Sequence, residues 1–113
     1  VQADRLGTAQ AIADRFAATV VLKGSGTVVT GPGERPWINA TGSAALATAG
    51  TGDVLAGMIG ALIGQCASLR EAVHAAVWLH GAAAERFGAD IGLVATDIAP
   101  LAARRLAELR ARR

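Results

Sequence analysis

The sequence predicts an α/β protein that contains one end of a layered sandwich of helices and a sheet. The spacing of apolar residues is typical of the order helix, strand, hairpin and then three consecutive helices. Hydrophobic residues make up 52% of the 113 residues, yet aromatic residues make up only 4%, and 14 residues are glycine. This composition favours helices packed closely on a sheet over a large aromatic core. Because a complete doubly wound domain keeps alternating strands and helices, about three strands indicate part of such a fold.

The N-terminal elements follow from local patterns. Apolar residues at three- and four-residue steps predict an amphipathic helix over residues 3–18. The β-branched run of residues 19–22 predicts a buried strand, and residues 27–30 are predicted to resume the extended chain. Glycine and proline in residues 31–36 predict a turn, so residues 37–39 are expected to return as the second strand of a hairpin.

A loop and an apolar helix are predicted in the middle of the chain. Residues 40–50 lack a clear period and are predicted to form the loop, and residues 51–65 are predicted to form the helix. Large apolar residues form one stripe of this helix and small residues form another. A helix that is apolar or small on every side is expected to be buried, with a close neighbour against its glycines. The small stripe consists of Gly57, Gly60, Ala61 and Gly64.

Two further helices are predicted from their end signals. Ser68 and Glu71 match a capping box, and the helix that they open is expected to end at Gly88. Thr96 or Asp97 is expected to cap the last helix.

Charge and cysteine usage exclude several classes of protein. The formal net charge is only +2. Nucleic-acid binding would require a basic stripe with interleaved aromatic residues, and the sequence has none. The apolar run at residues 54–64 is far shorter than the roughly 20 residues that span a bilayer. Cys66 is the single cysteine, which excludes an internal disulfide and fits a reducing cytoplasm. A cytoplasmic protein without a nucleic-acid or membrane partner is therefore predicted.

The glycine-rich run of residues 49–52 delivers Asp53 to the first turn of the apolar helix. The first N–H groups of a helix have no intrahelical partner, and the helix dipole adds positive charge, so such an end binds anions. An aspartate placed beside an anion suits proton transfer from a hydroxyl group during phosphoryl transfer. The alternative is that Asp53 only complements the helix dipole, an effect of about 0.3–1 kcal/mol. The pattern leaves both interpretations open.

A second glycine-rich loop follows the first predicted strand. Its glycines expose main-chain N–H groups, its hydroxyl groups can donate, and its lysine adds a mobile positive charge, as a nucleotide phosphate requires. It matches neither the Walker loop nor the dinucleotide-binding turn. A β-turn with an exposed lysine is the alternative. The loop consists of Lys23, Gly24, Ser25, Gly26 and Thr27.

The remaining polar candidates are weaker. His80 lies on an apolar helical stripe, which favours a core histidine over a catalytic one. Asn39 and Thr41 are equally suited to ligand contacts and to turn caps. No cysteine and histidine cluster has metal-ligand spacing, and no serine lies in a nucleophile elbow.

Several blocks in fixed order, taken together, resemble the ADP-dependent NAD(P)H-hydrate dehydratases. The resemblance covers nearly all of the chain and implies a ribokinase-like three-layer α/β/α sandwich. Residues 1–113 would form the C-terminal portion of that domain. Ala49 departs from the pattern, because a doubled glycine is common there and alanine restricts positive φ. The matching blocks are residues 22–27, 39–42, 47–57, 79–81 and 93–97.

The resemblance also implies an activity. NADH or NADPH that has been hydrated at C6 of the nicotinamide ring is phosphorylated by ADP on the new hydroxyl. Loss of phosphate then restores the double bond and leaves AMP. Magnesium is expected with the nucleotide, an epimerase domain often precedes this domain in bacteria, and a homo-oligomer is expected.

The same resemblance implies the residue roles. Asp53 would face the hydrated nicotinamide and accept the hydroxyl proton, which makes it both catalytic and substrate-binding. The N–H groups of the run before it would hold the charge that develops on the transferring phosphoryl group. No magnesium ligand is assigned. The implied nucleotide contacts are Lys23, Gly24, Ser25, Gly26, Thr27, Gly50, Thr51 and Gly52.

Two other functions remain open at this point. The first is a ribokinase-like kinase for a small molecule such as a vitamin precursor, in which Asp53 is again the base but the acceptor alcohol keeps its phosphate. The second is a truncated, non-catalytic module that binds a nucleotide.

Overall fold

The chain divides into an N-terminal unit, Val1–Ala40, and a C-terminal unit, Thr41–Arg113. The computed structural model describes residues 2–24 and 26–112. Ser25, one of the predicted nucleotide contacts, therefore lies outside the described residues. The sheet belongs to the N-terminal unit and three long helices belong to the C-terminal unit, in the predicted order.

The N-terminal unit is one helix and a three-stranded antiparallel sheet, with the strands side by side in chain order. In the register of the sheet, Val21 pairs with Val29, which in turn pairs with Trp37. The central strand is buried along its whole length, and its β-branched residues suit such a position. The predicted helix and hairpin are confirmed. The first strand is also present, but it was predicted to be buried and is only partly buried. The elements are α1 (Gln2–Phe16), β1 (Val20–Leu22), β2 (Val28–Thr30) and β3 (Trp37–Ile38).

Helix α1 packs on this sheet through small apolar residues. It also forms hydrogen bonds with the end of β2 and the turn that follows it. Ala9 and Ala13 are both fully buried, so the helix backbone can approach the strands closely. The Thr30 hydroxyl donates to Gln10 Oε1 at 2.7 Å, and Gln10 Nε2 donates to the Gly31 carbonyl at 3.0 Å. These bonds satisfy polar groups that would otherwise be buried without partners.

The C-terminal unit begins with a segment that was predicted to be an irregular loop throughout, and this prediction is wrong in part. A 3₁₀ turn, Ala44–Leu46, interrupts it, and the Ser43 hydroxyl accepts a hydrogen bond from the Ala45 N–H at 3.2 Å. Serine often satisfies the first N–H groups of a helical turn in this way. Three α-helices follow: α2 (Thr51–Ile63), α3 (Leu69–Phe87) and α4 (Ala95–Ala111).

The ends of α3 are as predicted. The Ser68 hydroxyl accepts from the Glu71 N–H at 3.1 Å, and Gly88 ends the helix with a left-handed φ of 82°. Glycine is favoured there because it adopts this conformation without a steric penalty.

Helix α4 begins earlier than the sequence predicted. Its N-cap is Val94, so the expectation that Thr96 or Asp97 occupies that position is wrong. The Asp97 carboxylate nevertheless serves the same end of the helix, because it accepts from the Val94 N–H at 3.0 Å. An acidic residue three positions after the cap can satisfy the cap's own N–H in this way.

The core of the C-terminal unit is built around α3, which contacts both other helices. Alanine supplies much of it, so the helices approach closely and each buried side chain contributes a small apolar area. Ile98 of α4 is fully buried in this core. The cluster consists of Ala45, Leu79, Ala83, Ala84, Leu93, Ile98 and Ala102.

The prediction that α2 is buried on every side is wrong for this chain. Only Thr51 and Leu55 of this helix are buried. A methyl group added at Gly57 or Gly60 would have no atom within 4 Å, so the stripe of small residues is open to solvent. The apolar composition of a helix indicates that burying it would be favourable. Whether it is buried depends on which other parts of the chain pack against it.

Among the described residues, no helix combines the length and the apolar character that a membrane span requires.

Candidate functional site

The N-terminal turn of α2 presents the predicted aspartate. Asp53 is exposed in this turn, and the exposed Gly50 precedes the helix as its N-cap. The helical series of hydrogen bonds begins where the Val54 N–H donates to the Gly50 carbonyl at 3.2 Å. The N–H groups of the three preceding residues therefore lie ahead of that series, as expected for the first turn of a helix. A carboxylate and a set of main-chain donors thus share one turn, in which Gly50 and Asp53 are exposed.

The chain enters this turn through a left-handed glycine. Gly50 has a φ of 86°, a conformation that residues with a Cβ rarely adopt. A methyl group there would also lie 3.1 Å from the Ala95 Cβ at the start of α4. The departure at Ala49 does not disturb this path, because Ala17 is the one non-glycine residue with a positive φ in the part of the chain that the structure describes.

Thr51 is turned inward rather than toward a ligand. It is 9% exposed, and its hydroxyl lies 2.9 Å from the Leu46 carbonyl oxygen and 3.2 Å from that of Thr48. This side chain therefore joins the helix start to the preceding loop. The role predicted for Thr51 uses its backbone N–H, and that role stays a prediction.

His80 of α3 lies behind the same turn. Its Nε2 is 2.9 Å from the Thr51 carbonyl oxygen, and the residue is 8% exposed. The expectation of a core histidine with a hydrogen-bond partner is confirmed. Its position on an apolar stripe was the only signal in the sequence, and nothing there identified Thr51 as the partner.

The loop before α2 is also joined to α3. The Thr41 hydroxyl donates to the Trp78 carbonyl at 2.9 Å. Gly81 leaves room for this contact, since a methyl group there would lie 2.7 Å from the Thr41 carbonyl carbon. This contact of Thr41 is structural, which favours the second of the two roles predicted for it.

The lysine loop lies between β1 and β2 in the N-terminal unit. Lys23 is exposed, and Gly24 and Gly26 have positive φ values of 141° and 67°. The Thr27 hydroxyl donates to the Gly24 carbonyl at 3.1 Å and so closes the loop on itself. Asn39 is buried and donates its N–H to the Thr27 carbonyl at 2.8 Å, which is a structural contact.

Arg5 of α1 contacts the lysine loop, and no pattern in the sequence predicted this contact. Its guanidinium donates to the carbonyls of Leu22 at 3.2 Å, Lys23 at 3.3 Å and Gly26 at 3.2 Å. Its planar fork of five donors suits several acceptors at once, and lysine lacks that geometry. Only the helical spacing around Arg5 is visible in the sequence, so no local pattern could indicate these contacts.

The two loops belong to different units, Lys23 to the first and Asp53 to the second. That they share one nucleotide stays a prediction. Within residues 2–24 and 26–112, no group of three or more histidine, cysteine or acidic side chains is placed to hold a metal ion.

Comparison with known proteins first defines the class. A ribokinase-like superfamily protein from Enterococcus faecalis has a solved structure that matches 88% of this chain with a TM-score of 0.74 and 27% identity, over 35% of its own chain. The fold of the chain is therefore part of a ribokinase-like α/β fold. The family model of the NAD(P)H-hydrate dehydratases matches residues 1–105. The chain belongs to the NAD(P)H-hydrate dehydratase family.

Individual relatives agree with this assignment. The ADP-dependent (S)-NAD(P)H-hydrate dehydratase of Neisseria meningitidis is 50% identical over 106 residues, which are 90% of this chain and 36% of that protein. A bifunctional NAD(P)H-hydrate repair enzyme from Gloeobacter violaceus is 48% identical over 88% of this chain and 20% of its own length. The ADP/ATP-dependent NAD(P)H-hydrate dehydratase of Bacillus subtilis, crystallised with ATP and Mg²⁺, has a TM-score of 0.90 and 35% identity, covering 95% of this chain and 41% of that one. The chain thus spans well under half the length of these relatives.

Proposed function

We propose that this chain is the C-terminal portion of an ADP-dependent NAD(P)H-hydrate dehydratase, which returns hydrated NADH or NADPH to its active form. The observation that carries the proposal is the exposed Asp53 on a helix start whose first N–H groups lie ahead of the helical hydrogen bonds. Membership of the dehydratase family supports the identity of the substrate.

In the proposed reaction, the 6-hydroxyl of the hydrated nicotinamide attacks the β-phosphorus of ADP. Asp53 accepts the hydroxyl proton, a new oxygen–phosphorus bond forms, and the bond to AMP breaks. The C6–oxygen bond then breaks to release inorganic phosphate, a proton is lost from C5 to solvent, and the C5–C6 double bond is restored. The carboxylate and the main-chain donors therefore serve the same transfer.

The N–H groups of Gly50, Thr51 and Gly52 are proposed to stabilise the charge on the transferring phosphoryl group. Donors that are fixed before the reaction stabilise such charge without reorganising. The AMP part of the nucleotide is assigned to the lysine loop and Gly52. In that loop, Lys23 supplies an exposed charge and two left-handed glycines expose the main chain.

Magnesium is expected to bind mainly through the nucleotide. Mg²⁺ commonly keeps several waters and is held by one or two carboxylates together with substrate phosphates. Since the described residues offer no cluster of three acidic, histidine or cysteine ligands, this mode fits the chain better than a dedicated protein cage does. Bound in this way, the ion would neutralise phosphate charge during transfer.

Three further expectations accompany this proposal. A cytoplasmic location is supported by the lone, free Cys66. A fused epimerase domain is supported by relatives that are bifunctional repair enzymes. The homo-oligomer expected from the family resemblance stays a prediction for size measurement in solution.

The test is the substitution Asp53→Asn in the protein at its full natural length. We expect ADP-dependent recovery of the nicotinamide absorbance from hydrated NADH to fall by about 10²–10⁴-fold, because the proton acceptor is lost. Calorimetry should give an ADP affinity within about threefold of the parent, because the main-chain donors remain.

Asp4→Asn is the matched control, since Asp4 is an exposed carboxylate in the first turn of another helix. It should leave turnover unchanged. Equal turnover by Asp53→Asn and the parent would show that Asp53 only complements the helix dipole. Stable phosphorylation of an added alcohol, without recovery of NADH, would instead identify a kinase.

A further inference from the structure

His80 is a buried titratable residue that the proposed chemistry does not use. Its Nε2 lies 2.9 Å from the Thr51 carbonyl oxygen. Because a carbonyl only accepts, Nε2 carries the hydrogen and donates it. We propose that His80 is a positioning residue for the phosphoryl-binding turn at the start of α2. This inference rests on the function proposed above for that turn.

The planarity of the peptide bond links His80 to the proposed donors. The carbonyl of Thr51 and the N–H of Gly52 belong to one peptide unit, in which they point in opposite directions. An imidazole that holds this carbonyl from the protein interior therefore directs the Gly52 N–H away from the interior. That N–H is one of the donors assigned to the transferring phosphoryl group, and it immediately precedes Asp53.

The surroundings of His80 make this restraint firm. The Thr51 hydroxyl is bonded to the Leu46 carbonyl at 2.9 Å, so Thr51 is held through its side chain as well as through its carbonyl. Two residues before His80, the carbonyl of Trp78 accepts from the Thr41 hydroxyl at 2.9 Å. One short stretch of α3 therefore supports both ends of the segment that leads to the turn.

The chemistry of the side chain suggests a matched set of variants. In glutamine the terminal nitrogen lies four bonds from Cα, as does the histidine Nε2, so His80→Gln can keep the donor. In asparagine the nitrogen lies one bond nearer the backbone, and leucine has no donor. His74→Leu is the control, because it removes an imidazole from the same helix six residues earlier, about 9 Å along the helix axis.

We expect kcat for hydrate turnover to fall by about 10–100-fold in His80→Asn and His80→Leu, because a displaced donor acts mainly in the transition state. The KM for ADP should change less than about threefold. His80→Gln and His74→Leu should stay within about threefold of the parent in kcat. A merely structural role would lower the unfolding midpoint of the variants without lowering the kcat of the folded protein, and would overturn the proposal.

Amide hydrogen exchange provides a readout that does not depend on turnover. The Val54 N–H, whose bond to the Gly50 carbonyl closes the first turn of α2, should exchange faster in His80→Leu and His80→Asn than in the parent. It should exchange at the parental rate in the glutamine variant and the His74 control. Unchanged exchange in all variants would overturn the role of His80. Absence of hydrate turnover in the parent would instead contradict the proposed function, and the exchange rates would then decide the positioning role alone.

Discussion

Two glycines of the C-terminal unit show how different the neighbours of the same residue type can be. Gly81 faces Thr41 so closely that a methyl group would lie 2.7 Å from its carbonyl carbon. A methyl group added at Gly60 would have no atom within 4 Å outside the backbone of its own helix. Close packing allows no methyl group in the first case, whereas in the second a helical glycine only adds conformational entropy to the unfolded chain.

Gly81→Ala should therefore lower the free energy of unfolding by about 1–3 kcal/mol, since the chain near Thr41 must move. Urea denaturation followed by circular dichroism measures this change. Gly60→Ala is the control and should raise the same free energy by about 0.5–1 kcal/mol. Equal effects of the two substitutions would contradict the contact with Thr41.

Gly50→Ala should weaken both stability and ADP binding. A left-handed alanine costs about 1–2 kcal/mol, and its methyl group would press on Ala95. Gly33→Ala is the matched control, because Gly33 has a φ of 68° with open space around it. Both variants should lose stability in thermal unfolding, but only Gly50→Ala should lose ADP affinity in calorimetry. A similar loss of affinity in both would remove Gly50 from the site.

At the scale of elements, a side chain from a neighbouring helix forms hydrogen bonds with each of the two candidate site segments. Helix α1 holds the lysine loop through Arg5, and α3 holds the entry to α2 through His80. In each case a side chain donates to main-chain carbonyls: Arg5 to three in the lysine loop and the strand before it, and His80 to that of Thr51. We propose that these contacts orient the neighbouring main-chain N–H groups.

Arg5→Lys should lower ADP affinity by about 3–10-fold, because a single ammonium cannot reproduce a planar fork that reaches three carbonyls. Calorimetric titration with ADP measures it. Arg15→Lys is the control on the same helix, where the guanidinium lies 5.4 Å from the centre of the Phe16 ring. Parental affinity in Arg5→Lys would show that the loop keeps its shape without the fork.

At the scale of the whole molecule, the proposed nucleotide contacts include residues of each unit, Gly26 in the first and Gly52 in the second. On this hypothesis, titration of ¹⁵N-labelled protein with ADP should shift the amide signals of Gly26 and Gly52 along curves with the same Kd. The signal of Ala107, in the last turns of α4, should not move. Two different Kd values, or movement of one glycine alone, would separate the lysine loop from the Asp53 turn.

The order of elements could be predicted because each depends on local signals. Ser68 and Gly88 mark the ends of α3 by their own chemistry, and the β-branched residues of β2 indicate a strand without reference to the rest of the chain. The predicted start of α4 was wrong by a few residues, because an aspartate can either be the N-cap itself or lie in the first turn and accept from the N–H of the N-cap. Asp97 does the second, for Val94. Boundaries depend on such competition between nearby groups.

Element order, family membership and the two glycine-rich loops could be predicted from residue patterns along the chain. The contacts that hold those loops and the exposure of α2 could be known only from the folded structure. Arg5 reaches the Leu22 carbonyl across 17 positions, and His80 reaches the Thr51 carbonyl across 29. The exposure of Gly57 likewise depends on the neighbours that the fold provides. Contacts between distant residues arise only when the chain closes on itself, so no local pattern encodes them.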